Sequence, residues 1–290
     1  MSDAFDMPAF LKQFRSERGI TLKAAYPEAP STLSRMENNK NTISADRLHE
    51  IMTREGLRYW DLQVHSDQFI SPFKQLFDEL VLERFNFESP RIGEAINRYR
   101  IRVADRSSKI LSITAAVLNQ ITLMIKTRNV IKLDEKMQSQ IEALLLSNDD
   151  WIFYDYGLLR LSAQLLDTER LVLCLTKAIR QNSKQSGRYL NYFAMVLEQC
   201  CLILVMRHYS GVHALCEDHL SKLRVDYFDG LDAIVLNFIL MQERICDAEL
   251  RANQVSDLVS AAKLLELNDM ANFLERIDKA IQTGKEIVLL

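Results

Sequence analysis

Apolar positions recur at helical spacing along almost the whole chain, but the texture of the pattern changes near residue 65. Before it, short apolar stripes alternate with breakers, which predicts five short helices. Phe10, Leu11 and Phe14 form the first stripe, and Gly19 stops it. Thr21 caps a second helix with Leu22, Ala25 and Tyr26 inward, and Pro27 keeps it short. Leu33 and Met36 are the inward pair of a small polar helix within the stretch PSTLSRMENNKNTIS, residues 30–44. Ser44 caps a fourth helix carrying Leu48, Ile51 and Met52, and Tyr59, Trp60 and Leu62 close the set.

After residue 72 the helical patterns are long and breakers are scarce. Ser71 suits a cap and Pro72 a first helical turn. The expected organisation is a helical domain over 1–65, a linker over 66–72 and a second helical domain over 73–290. Within the second, Trp151, Tyr189 and Tyr227 recur at a spacing of 38 residues. Each opens a long apolar helix that is followed by a more amphipathic one. Helical hairpins of this kind bury their apolar faces only by stacking on neighbours. The fold class expected is all-α: a five-helix N-terminal domain with a helix-turn-helix, then a right-handed array of helical hairpins resembling tetratricopeptide repeats.

Composition agrees with this and narrows the function. Eight Gly and five Pro in 290 residues leave little room for a many-turned β fold. No phosphate-binding glycine loop, dinucleotide fingerprint or nucleophile elbow occurs, so no enzyme activity and no cofactor are expected. The five Cys (174, 200, 201, 216 and 246) have apolar neighbours and read as reduced, buried thiols in a cytoplasmic protein. His208, His213, Cys216 and His219 have a metal-like composition, but His219 drifts off the helical face of the others, and packed Cys with exposed His is the expectation. The apolar runs are interrupted too often to predict a membrane span.

With a net charge of −3, any nucleic-acid binding must come from a local surface. The stretch 30–44 is the candidate. A reading helix needs small or polar residues near its N-terminus so that the backbone can approach bases closely. Ser31, Thr32, Ser34 and Arg35 satisfy this, with Arg35 able to reach a guanine edge or a phosphate, and Lys40 and the Asn run near the phosphate backbone. An ordinary solvated helix remains the competing reading. Residues 1–65 hold nine basic and nine acidic side chains, so one such domain would bind DNA weakly and a dimer would bind better.

The segment LKQFRSERGITLKAAYPEAPSTLSRMENNKNTISADRLHEIM resembles the repressor-like helix-turn-helix of the Rgg/GadR/MutR family of Gram-positive transcriptional regulators. The residues that carry the likeness are Ser31 to Glu37, followed by Ile43 and Ser44. NDDWIFYDYGLLRL, residues 148–161, is similar to the family's Trp-centred helix in its repeat domain. The resemblance implies a homodimeric, DNA-binding regulator of quorum-sensing type, whose repeat domain binds a short peptide pheromone. Two departures stand out. The second helix lacks the family's Ser-Gln start and carries Pro27. Ser44, Ala45 and Asp46 occupy the place where some members have a Cys linking their two DNA-binding domains, so that disulfide is not available here.

Polar residues that interrupt the long apolar helices are candidates for such a ligand groove. Arg160 and Glu198 are equivalent under the 38-residue repeat, as are Gln199 and Asn237, and Tyr154 and Asn191 lie on the same helices. Amides can bond a peptide backbone and an arginine can hold a terminal carboxylate. An internal polar network between stacked helices is the alternative. At the level of the whole chain, the alternative is a helical-repeat scaffold that binds a protein partner and carries a degenerate N-terminal domain.

Overall fold

The computed structural model describes residues 6–59, 61–62, 70–185, 189–212, 214–215, 230–244 and 248–289, and among these the chain is helical with no strand. It divides into two compact units, Met1–Ser71 and Pro72–Leu290.

The first unit contains α1 (Met7–Glu17), α2 (Leu22–Ala25), α3 (Pro30–Glu37) and α4 (Ala45–Glu55), with a further turn of helix at residues 59–62 of which Trp60 lies outside the described residues. Local chemistry sets each boundary. The Asp6 carboxylate accepts the Ala9 N–H at the start of α1, and Gly19 takes the left-handed φ of 64° beyond its end. The Thr21 hydroxyl accepts the Ala24 N–H. Helix α2 ends at Ala25, with Tyr26 as its cap, directly before Pro27. Ser44 occupies the cap position of α4 in an extended conformation, but its side chain makes no capping bond. Leu11, Ala25, Tyr26, Leu33, Met36, Ile51, Met52, Leu57 and Leu62 form one buried core. Each such aliphatic side chain contributes roughly 1.5–3 kcal/mol on burial.

The second unit contains α5 (Pro72–Leu82), α6 (Pro90–Val103), α7 (Lys109–Thr127), α8 (Glu135–Ser147), α9 (Phe153–Ser162), α10 (Thr168–Lys184), α11 (Leu190–Met206), α12 (Gly230–Arg244), α13 (Ala248–Leu264) and α14 (Asn268–Thr283). Most successive helices pack against each other, and α11 packs on both α9 and α12. Tyr227, Cys216, Cys246, His213 and His219 lie outside the described residues. Among the described residues no cluster of His, Cys, Asp and Glu could hold a metal. Cys174, Cys200 and Cys201 are buried.

Three features depart from the periodicity. Trp151 does not open a long helix; it lies just before α9 with its indole N–H on the Leu145 carbonyl at 3.0 Å. Helix α9 then gives way to a 3₁₀ turn at Ala163–Leu165, where the Ser162 hydroxyl donates back to the Leu158 carbonyl. Helix α7 is long and apolar enough to cross a bilayer by length and composition, contrary to expectation. Here its Ile113, Val117, Leu118, Ile121 and Met124 are buried in the core of the unit.

The final segment has no counterpart in the repeat. Gly284, at φ 65°, ends α14, and residues 285–289 run without helix across the unit. The Gln164 side chain donates to the Ile287 carbonyl and accepts from the Leu289 N–H, at 2.6 and 2.8 Å. Glu286 pairs with Arg207 at 3.0 Å, and Val288 and Leu289 are buried.

Candidate nucleic-acid interface and ligand groove

Helix α3 is held by its inner face and by one ion pair. Leu33 and Met36 are buried, and Glu37 takes a two-pronged contact from the Arg15 guanidinium at 2.6 and 2.8 Å. A third Arg15 nitrogen donates to the Ile20 carbonyl at 2.7 Å, so one arginine ties α1 to the α1–α2 turn and to α3. Bidentate contact of this kind fixes orientation as well as distance. The outer face of α3 carries the expected residues: Ser31 and Arg35 are exposed, and Thr32 and Ser34 are half-buried.

The asparagine run is a structural turn. Asn39 adopts a left-handed φ of 57°, and its side chain reaches the Asp6 carboxylate at 3.2 Å. The Asn38 amide donates to the Ser34 carbonyl and accepts from Lys12. Lys40 follows, exposed, its N–H on the Arg35 carbonyl.

Burial redistributes the neutral charge of residues 1–65. Glu37 and Glu55 turn inward with Arg15, which leaves eight bases against seven acids elsewhere in the segment. Lys23, Arg35, Lys40 and Arg47 are exposed and make no ion pair among the described residues. Glu55 is the exception to polar satisfaction: it is buried and neither carboxylate oxygen has a hydrogen-bond partner. Desolvation, reinforced by the nearby Glu37 charge and opposed by Arg15, pushes its carboxyl up to about 7. The folded unit therefore holds this proton more tightly than the unfolded chain. Its stabilising effect is complete below the unfolded pKa and is lost as pH rises to about 7. Glu55→Gln is expected to remove that slope and to stabilise the unit at pH 8 by roughly 1–2 kcal/mol, the shift being discounted for partial solvation. Amide exchange of α1–α4 in variant and parent at pH 5 and pH 8 measures it; an equal difference at both would contradict the assignment.

In the second unit the expected groove residues fall into three environments. Asn191 is exposed in the first turn of α11 and Asn237 is half-buried on α12. Glu198 and Gln199 are buried on α11. Arg160 is 5 % exposed, its guanidinium 5.7 Å from the centre of the Phe77 ring, and Tyr154 shares its hydroxyl with Thr114 and the Ile110 carbonyl of α7. Burial pushes the Tyr154 phenol up to about 12.

Helix α5 packs against both Arg160 and Tyr154. Phe73 packs on Tyr154 at 4.7 Å between ring centres, and Phe77 packs edge-on against Phe153 and Tyr192 at 5.2 and 5.9 Å. A Cβ on Gly157 would come within 2.6 Å of Phe73, so the absence of a side chain there lets α5 seat on α9. Lys74 lies over Phe153 and Tyr192 at 5.6 and 5.7 Å. The i, i+4 aromatic pair in FKQLF was the available signal.

No protein-family model matches the chain, and no curated protein matches it. Solved structures do. A candidate transcriptional regulator from Listeria monocytogenes EGD-e superposes with a TM-score of 0.74 at 14 % identity, over 96 % of this chain and 97 % of that one. The SHP pheromone receptor Rgg2 of Streptococcus dysgalactiae superposes with a TM-score of 0.72 at 14 % identity, over 94 % and 100 %. PrgX in its complex with cCF10 gives 0.66 at 14 % identity, over 98 % and 95 %. At such identities the likeness is one of fold, and it runs the length of both chains: this protein has the two-part helical fold of Rgg2 and PrgX.

Proposed function

We propose that this chain is a transcriptional regulator that binds double-stranded DNA through α3 as a homodimer and responds to a short peptide held by the second unit. The observation that carries the reading is the outer face of α3. Ser31, Thr32, Ser34 and Arg35 stand on a helix whose inner side is locked by Leu33, Met36 and the Arg15–Glu37 pair, with unpaired Lys40 at its end. The fold shared with a pheromone receptor supports the peptide part. Arg160, Tyr154, Asn191, Glu198, Gln199 and Asn237 are the proposed peptide contacts. Asn191 is exposed and Asn237 and Tyr154 are half-buried, while Arg160, Glu198 and Gln199 are buried and would need neighbouring helices to move. A cytoplasmic location and the absence of catalysis follow from the same reading.

Binding of the purified protein to DNA upstream of its own gene, across a salt series, tests it. Affinity should fall steeply with salt because phosphate contacts release counterions. Arg35→Ala should weaken specific binding by about 1–3 kcal/mol and relax base preference at one position. A flat salt response would instead favour a scaffold that binds a protein partner.

A further inference from the structure

A cavity of about 510 Å3 lies in the second unit between the loop after α5, the end of α7, the helix α14 and the final segment. It is lined by none of the residues proposed above for the peptide groove. Five charged side chains stand on its wall, and their pairing is uneven. Arg128 is bonded to Glu88 at 3.2 Å, and Glu275 to Lys263 at 2.7 Å. Arg276 and Asp269 make no ion pair or hydrogen bond among the described residues.

Arg276 is half-buried, and its guanidinium carbon lies over the Phe87 ring, 4.0 Å from the ring centre. Contact with a ring face in this way leaves the N–H donors of a guanidinium able to bond a carboxylate. Burial and the neighbouring Arg128 push its pKa down, against the Glu88 charge, so the site disfavours a lone cation as it stands. Asp269 lies seven residues earlier on α14, two turns away on the same face, a rise of about 10 Å. Asn272, between them, offers an amide able to bond a peptide group as donor and acceptor. Phe85 and Ile287 supply apolar wall.

One unpaired cation and one unpaired anion, on residues about 10 Å apart along the axis of α14, match a ligand with a free ammonium at one end and a free carboxylate at the other. An extended chain rises about 3.3 Å per residue, so the match is a peptide of about three residues. A dianion such as phosphate is disfavoured by the three carboxylates on the wall. We propose that this cavity is a second ligand site, for a short zwitterionic peptide whose carboxylate meets Arg276 and whose ammonium meets Asp269.

Calorimetric titration of the full chain with the tripeptide Ala-Leu-Ala, its C-terminal amide and its N-acetyl form tests the proposal. The free tripeptide should saturate, and capping either end should weaken binding by about tenfold or more. Arg276→Gln should lose the preference for the free carboxylate, and Asp269→Asn the preference for the free amine. No saturation by about 10 mM, or equal binding of the capped forms, would overturn it. Because the capped ligands are compared on the parent chain, the test holds even if Arg276→Gln fails to fold. DNA binding by α3 is read in a separate assay, so failure here leaves the proposed function standing and the reverse also holds.

Discussion

Arg15→Ala is expected to cost the N-terminal unit about 3–5 kcal/mol, the largest effect of any single change outside the cores. The Arg15 side chain is 12 % exposed and that of Glu37 only 2 %, so the pair is not a surface contact screened by water. Removing the guanidinium leaves Glu37 buried without its two bonds and the Ile20 carbonyl without its donor. It also removes the attraction that favours the ionised form of Glu55. Two carboxylates would then share an uncompensated interior, so the loss should be greater at pH 8 than at pH 6. Amide exchange of α1–α4 measures it in the intact chain, and Arg15→Met, which keeps the apolar stem, separates packing from charge. The DNA affinity proposed for α3 should fall with it, because α3 loses its tether to α1. A loss below about 1 kcal/mol would mean that the pair behaves as an exposed one.

Trp151→Ala should destabilise the second unit by about 3–5 kcal/mol and leave the first unchanged. The side chain is fully buried, its ring is edge-on to Tyr156 at 5.1 Å between centres, and its indole N–H satisfies the Leu145 carbonyl at the end of α8. The substitution therefore opens a cavity and orphans a carbonyl together. Trp151→Phe keeps most of the volume and should cost closer to the ~1 kcal/mol of a hydrogen bond. Urea unfolding followed by far-ultraviolet circular dichroism, with exchange to localise the change, distinguishes them. Equal losses in the two variants would show that the ring's volume contributes little.

The two variants probe what the pattern of residues encodes unequally well. Helices of the first unit were legible because their signals are local: Thr21 caps, Gly19 stops, and Leu33 and Met36 lie three apart on one face. The Arg15–Glu37 pair was not legible, since its partners lie 22 residues apart and only the packing of α1 on α3 joins them. Glu55 likewise reads as an ordinary helix-end carboxylate until the fold buries it.

The second unit shows the same division. The 38-residue recurrence of large aromatics predicted neighbouring helices, and α11 does pack on both α9 and α12, although Trp151 precedes a short helix and Tyr227 lies outside the described residues. It also placed Arg160 with Glu198, and Gln199 with Asn237, as polar interruptions. Periodicity records that a position differs from its apolar neighbours, but not what packs over it. Helix α5 seats Phe73 and Phe77 on α9 because Gly157 leaves room, and this covers Arg160 and Tyr154 while Asn191 stays exposed. The final segment was silent in the sequence for a related reason: its bonds to Gln164 span more than 120 residues.

The sequence by itself determined the helical class, the helix termini of the first unit and the face that α3 offers, because spacing and caps act within a few residues of the chain. The tertiary structure alone decided which carboxylates are buried, which of the expected groove residues are covered and which two charges on the cavity wall lack partners among the described residues. Those depend on distances between segments far apart in the chain, and no local pattern records them.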